Sequence, residues 1–230
     1  MSPPTPALAA LLHHPGVWRG GHLADNTAPG LPTGHAALDA ALPGGGWPRG
    51  GLTELLPRHR GVGELSLLLP ALASLEAEAG WIALVAPPWP LHAPAWQAAG
   101  IRLARLLVVA PPPREILWAC EQLLASGTLG ALVAWLPEAD PRALRRLQLA
   151  LAGRSSLAFL FRPPASAAQP SPAPLRLALE AGPGGLAVDI LKRRGPPLAA
   201  PLSLAIPRPL AWHRLAPHCS APPSLQALPA

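Results

Sequence analysis

The sequence has no Tyr, one Met, two Phe and a single Lys against 17 Arg, and charged residues make up 13% of it. With Arg so favoured over Lys throughout, an Arg where Lys might stand carries no functional signal. Cys120 and Cys219 are its only cysteines. They form no CxxC pair, and two thiols make no disulfide framework. Cys120 falls in an apolar helical stretch and reads as a small buried residue. No apolar run reaches the roughly 18 residues that would suggest a membrane span. MSPPTPALAALLHHPG at the start is broken by Pro and lacks a basic region followed by an apolar one, so no secretory leader is expected and a cytoplasmic protein is. The eight His show no ligand spacing, and Ser66, Ser155 and Ser156 stand in no GxSxG context, so neither a metal site nor a serine nucleophile is expected.

Proline, apolar residues and a skewed charge are what the chain does have. Half of its 230 residues are hydrophobic, enough for the core of one α/β domain, and 34 are Pro. Residues 1–140 carry seven basic and ten acidic side chains, a balance of −3, while residues 141–230 carry eleven and two, a balance of +9. A basic half suits a polyanion or an acidic partner.

The hydrophobic pattern alternates between strand and helix. Leu52–Leu56, Trp81–Ala86, Leu106–Ala110, Leu129–Leu136 and Leu157–Phe161 read as strands, the longer of them continuous apolar runs covered on both faces. Between them, helices are expected over His35–Leu42 with Thr33 as cap, Glu64–Ala79 with Pro70 kinking it or delaying its start, Ala93–Ala99, Arg114–Ser126, and from Asp140-Pro141 to Gly153. Strand–helix alternation implies right-handed crossovers and a parallel sheet. Residues 162–174 read as a flexible loop. Leu175–Ala181 and Leu186–Lys192 then flank Gly182-Pro183-Gly184-Gly185, a hairpin signal that ends the sheet antiparallel. The expected organisation is an arm over 1–30, an α/β domain over 31–206 and a Pro-rich tail over 207–230.

The first strand leads into a loop and then a helix, the setting of a phosphate-binding loop. Such a loop needs G-x-x-x-x-G-K-[ST], in which backbone N–H groups cradle phosphate, Lys neutralises it and the hydroxyl holds Mg²⁺. Here the segment reads Pro57-Arg58-His59-Arg60-Gly61-Val62-Gly63-Glu64-Leu65-Ser66. Pro57 replaces the first Gly, the loop is one residue longer, Glu64 replaces Lys and Leu65 replaces the hydroxyl. Two unit charges about 4 Å apart interact by about 4 kcal/mol at an effective dielectric near 20, so turning attraction into repulsion moves the balance by up to about twice that. A carboxylate at a helix start is itself favourable, so Glu64 can take the electrostatic place of phosphate. No cofactor and no catalytic residue are expected.

The stretch 31–55, LPTGHAALDAALPGGGWPRGGLTEL, resembles the segment that precedes the phosphate loop in RecA ATPases, where a "TG…LD..L.GGG.P.G…E" series occurs. Its form, with the GVGEL loop after it, resembles the ImuA family, RecA-like and sometimes labelled SulA-like proteins of bacterial SOS mutagenesis cassettes. The resemblance spans roughly residues 15–207 and is most specific over 31–69. It implies a RecA-like fold: a mostly parallel twisted sheet flanked by helices, ending in an antiparallel hairpin. It also implies further losses. RecA has a catalytic Glu after its second core strand, where this chain has Ala86-Pro87-Pro88-Trp89, and an acidic Mg²⁺ partner at a later strand end, where this chain has Trp135. Trp89 and Trp96 are expected to plug the empty nucleotide site. Glu138 and Asp140 are expected to cap the following helix.

By that resemblance the chain is a non-catalytic accessory protein of SOS-induced translesion DNA synthesis. Its implied partners are an ImuB-type Y-family polymerase homologue, an error-prone DnaE-type polymerase and RecA. A SulA-type division inhibitor and an off-consensus RecA-like ATPase remain as alternatives. Arg162, Arg176, Lys192, Arg193 and Arg194 are the candidate DNA contacts in the basic half. Arg142, Arg145 and Arg146, on the polar side of one helix, and Trp212 in the tail are the candidate partner contacts.

Overall fold

The structure, a computed structural model, describes residues 28–75 and 80–206. Its centre is one eight-stranded sheet in the order β3-β2-β4-β5-β1-β6-β7-β8. The strands are β1 (Leu52–Pro57), β2 (Trp81–Val85), β3 (Leu106–Val109), β4 (Leu129–Trp135), β5 (Leu157–Phe161), β6 (Leu175–Gly182), β7 (Gly185–Lys192) and β8 (Leu202–Leu204). All pairs from β3 across to β6 are parallel, and β6–β7 and β7–β8 are antiparallel. Strands β4 and β5 are buried almost throughout, as their unbroken apolar sequences require.

Helices cover both faces. On one, α1 (Ala36–Ala41) and α2 (Leu69–Ser74) pack over Leu55, Phe159, Leu177 and Val188. Trp47, fully buried here, meets Phe159 edge-on at 5.1 Å and 85°. On the other, α4 (Ile116–Ala125) and α5 (Pro141–Leu151) press Cys120, Leu124, Leu144 and Leu147 onto Leu132, Ala158 and Leu160. The short α3 (Ala93–Ala98) follows β2.

The local chemistry explains most boundaries. Asp140 accepts from the Ala143 N–H at 2.6 Å with Pro141 at the first helical position, so α5 starts where the sequence placed it. The hairpin turns on Pro183-Gly184, with Gly184 at φ 77°. Gly46 allows the GGG crossing to run beside Leu31, since a Cβ there would stand 2.1 Å from the Leu31 carbonyl oxygen.

Four expectations need correction. The helix expected over 64–79 is regular only from Leu69, because Pro70 has no N–H to give and fits only in a first turn; residues 64–68 are turns. Thr33 does not cap α1: its Oγ1 accepts from the His35 N–H at 3.1 Å, and its own N–H goes to Asp39 Oδ1 at 2.7 Å. The loop 162–174 contains a 3₁₀ turn, Pro164–Ala168. Strand β8 was not expected, since three residues among prolines carry too little pattern; it forms by pairing with β7.

Candidate functional site: a filled phosphate loop and a buried charge cluster

Strand β1 ends at Pro57 and delivers the chain to the carboxyl edge of the sheet, where ligands of open α/β folds bind. Gly61 at φ 80° and Gly63 at φ 103° turn the loop so that two backbone N–H groups converge. Their acceptor is the protein's own Glu64: Oε1 takes the Gly61 N–H at 3.0 Å and Oε2 the Gly63 N–H at 3.1 Å. A carboxylate thus sits in the nest a phosphate-binding loop would offer its ligand. Because α2 starts five residues later, this carboxylate is held by loop N–H groups and not by the end of a helix. Arg58, on the same loop, faces Glu180 of β6 at 3.1 Å in an exposed pair. Leu65 packs partly buried against the core, so its position contributes an apolar contact.

Two neighbouring positions are also apolar or aromatic. The segment after β2 passes through Ala86, at φ 52°, into Pro87-Pro88. The end of β4 is Trp135, stacked on Phe161 of β5 at 5.0 Å and 23°. Trp96 is buried in the core, whereas Trp89 is 70% exposed, so only Trp96 fills space and the expectation for Trp89 is corrected. Among the described residues no group of three His, Cys, Asp or Glu side chains could hold a metal ion.

Beneath the loop lies a cluster that sequence reading missed. Glu54, fully buried in β1, bonds through Oε1 to Arg162 Nη1 at 3.2 Å and through Oε2 to Arg176 Nε at 2.7 Å. Ser171 Oγ donates to Glu54 Oε1 at 2.6 Å. Arg162 Nη2 donates to Ala139 O at 2.9 Å and Gln169 Oε1 at 3.0 Å, and Arg176 Nη2 to Ser166 O at 2.6 Å. The cluster ties residues 166–171 down onto β1 and β6. Arg162 and Arg176, read from the sequence as DNA contacts, are therefore interior groups whose charges are spent on Glu54; β1 lies between β5 and β6, so both side chains reach it. The signal was a lone carboxylate in the apolar strand LTELLP, since Glu is rarely buried unless paired.

The other candidates divide. Lys192 Nζ donates to Ser171 O at 2.8 Å, and burial with the nearby Arg176 charge holds its pKa below the usual range. Arg193 donates from Nε and Nη2 to Pro196 O at 2.9 and 2.7 Å and from Nη1 to Ala41 O at the end of α1. Arg194 is exposed. Arg142, Arg145 and Arg146 are exposed on α5, where Arg146 meets Glu121 of α4 at 2.6 Å. Trp212 lies outside the described residues. Cys120 is buried, and burial, with a smaller push from the Glu121 charge, raises its thiol pKa to about 12, the condition of an inert cysteine.

Against known proteins, no family profile matches the chain. A RecA protein of Acholeplasma laidlawii is 32% identical over 123 residues, 51% of this chain and 37% of that protein. RecA 1 of Myxococcus xanthus is 30% identical over 115 residues, 50% of this chain and 33% of that protein. The fold is RecA-like. The chain spans about a third of the length of the curated relatives it matches. The crystal structure of SulA from Pseudomonas aeruginosa aligns with a TM-score of 0.39 and 27% identity, over 47% of this chain and 97% of that one.

Proposed function

We propose that this chain is a non-catalytic RecA-like accessory protein of the bacterial SOS response, acting in the cytoplasm. In its finer form the proposal is that it recruits or organises an ImuB-type Y-family polymerase homologue and an error-prone DnaE-type polymerase at damaged DNA. The carrying observation is the occupancy of the phosphate loop by Glu64 on Gly61 N–H and Gly63 N–H. A nucleotide would have to displace an anion of the protein, and it would then meet that carboxylate with no Lys to neutralise it. The apolar segment after β2 and the Trp135–Phe161 stack support the same reading, since neither offers a base for water or an oxygen for Mg²⁺. The similarity to RecA supports the DNA-damage context, and the motif block over 31–69 supports the mutagenesis cassette.

Capture from DNA-damaged cells tests the partnership. The full chain is expected to retain the two polymerase-type proteins, and truncation at residue 207 tests the tail that carries Trp212. Titration with ATP tests nucleotide binding: no saturable binding is expected below millimolar nucleotide. DNA-stimulated ATP turnover by the purified chain, unchanged or lowered in Glu64→Lys, would defeat the reading.

A further inference from the structure

Helices α4 and α5 lie side by side on one face of the sheet and press their apolar sides onto it. Their outward sides are joined by one contact, Arg146 of α5 to Glu121 of α4 at 2.6 Å. Trp118 stands one turn before Glu121, and Leu149 one turn after Arg146, so both flank that bridge. Trp118 is 60% exposed and Leu149 64%. A single exposed leucine is ordinary in a folded protein. Here a large aromatic ring and an aliphatic side chain share the outward face of one helix pair, with an ion pair between them.

The charge around them has one sign. The two helices carry three arginines and one carboxylate between them, and that carboxylate, Glu121, is already engaged by Arg146. Arg142, one turn before Arg146, and Arg145 are exposed, and neither has a carboxylate partner among the described residues. The nearest acid in sequence, Asp140, is spent as the cap of α5 on the Ala143 N–H. Helix α4 connects β3 to β4 and α5 connects β4 to β5, and these strands run parallel, so the two helices run in the same sense. Trp118 and Arg142, each about one turn ahead of the bridge, therefore stand at about the same height on neighbouring helices.

We propose that this two-helix face docks a partner protein through a segment that offers an apolar side chain flanked by carboxylates. The apolar side chain would cover Trp118 and Leu149, and the carboxylates would take the guanidiniums of Arg142 and Arg145, which match them by bidentate hydrogen bonds. Tryptophan and arginine are the residue types that carry most binding energy at protein interfaces. A nucleic-acid backbone fits less well: it has nothing to set against Leu149, and the Glu121 carboxylate lies in the middle of the face. The inference rests on the accessory reading above, in which the chain works by holding another protein, and it places that contact on the folded domain.

The test measures binding of the full chain to each purified polymerase-type protein, the ImuB-type homologue and the DnaE-type polymerase, by surface plasmon resonance over a salt series. Trp118→Ala is expected to weaken binding of one of them about tenfold or more, as loss of an interface anchor does. Arg142→Glu/Arg145→Glu should do the same, mainly by slowing association and flattening its salt dependence. Arg142→Lys/Arg145→Lys, which keeps the charge, should retain the salt dependence. Arg58→Gln, on the phosphate loop, should bind as the parent does. The substituted side chains are exposed, so each variant should melt with the parent, which separates a lost contact from a lost fold. If the parent binds and Trp118→Ala and the Glu double variant bind as tightly, this face is not the contact: the inference is wrong and the accessory reading stands. If the parent binds neither protein, the accessory reading fails and the inference fails with it. If the Glu double variant keeps both proteins but loses a labelled single-stranded DNA oligonucleotide that the parent binds, the face belongs to nucleic acid and the inference is again overturned.

Discussion

Replacing Glu54 by Gln changes one atom in the middle of the sheet and should be among the most damaging single substitutions in this chain. Its carboxylate is fully buried and stands between the guanidiniums of Arg162 and Arg176, whose side chains are 2% and 8% exposed. Gln keeps the shape and removes the only negative charge in these two ion pairs. Two buried cations then lose their counter-ion, and at least one amide N–H can be turned toward a guanidinium. Removing one partner of a buried pair costs about 3–5 kcal/mol. For a domain of this size each kcal/mol moves the melting temperature by about 2–4 °C, so a fall of roughly 6–20 °C is expected. The assay is thermal unfolding followed by circular dichroism, with Arg58→Gln as the reference. Arg58 and Glu180 are 65% and 55% exposed, and such a pair contributes about 0–1 kcal/mol. Hydrogen exchange should also show faster exchange at residues 164–171, which Arg162 and Arg176 hold down through Gln169, Ser166 and Ala167. If Glu54→Gln melts within the shift of Arg58→Gln, the cluster is hydrated or readily rearranged, and the account of why these arginines are unavailable to DNA is wrong.

Other outcomes follow from single contacts. Glu64→Ala removes the acceptor of the Gly61 and Gly63 N–H groups and should cost about 0.5–1.5 kcal/mol in urea unfolding, with faster amide exchange confined to the loop. Asp140→Ala deletes the cap of α5 and should cost about 0.5–2 kcal/mol, whereas Asp140→Asn should lose much less. In a Cys219→Ser background, Cys120 should stay unreactive toward a thiol reagent at pH 8 until the chain unfolds. Its thiol pKa is raised from 9.0 to about 12, so its stabilising contribution is complete below pH 9 and declines as pH rises from 9 toward 12, where the unfolded chain carries the thiolate and the folded one does not. Alkaline unfolding of Cys120→Ala should lack that component.

The strands were legible because their signal is local. A run such as Leu157–Phe161 has no polar residue to place at a surface, so it is buried on both sides wherever it pairs. The same holds for the Pro-Gly hairpin and for Asp140-Pro141, where the residues that act are adjacent in sequence. Helix α2 was partly legible: Pro70 signalled a break, and the structure shows that the regular turns begin at Leu69. The candidate site divides along the same line. Glu64 and the two glycines it bonds lie within four residues, so their meeting could be read. The Glu54 partners lie 108 and 122 residues away, and no spacing rule connects them.

The sequence alone therefore determined the alternation of strands and helices, the loss of the phosphate-loop lysine and hydroxyl, and the basic balance of the second half. Each is a property of neighbouring residues or of a sum over them. Tertiary structure alone decided which of those basic residues are spent inside the protein. Placing β1 between β5 and β6 turns Arg162 and Arg176 inward onto Glu54, because a carboxylate in a dry strand needs cations and those two are within reach. The same topology brings Arg49, distant in sequence, beside Arg193 and Arg194 at the opposite end of the sheet.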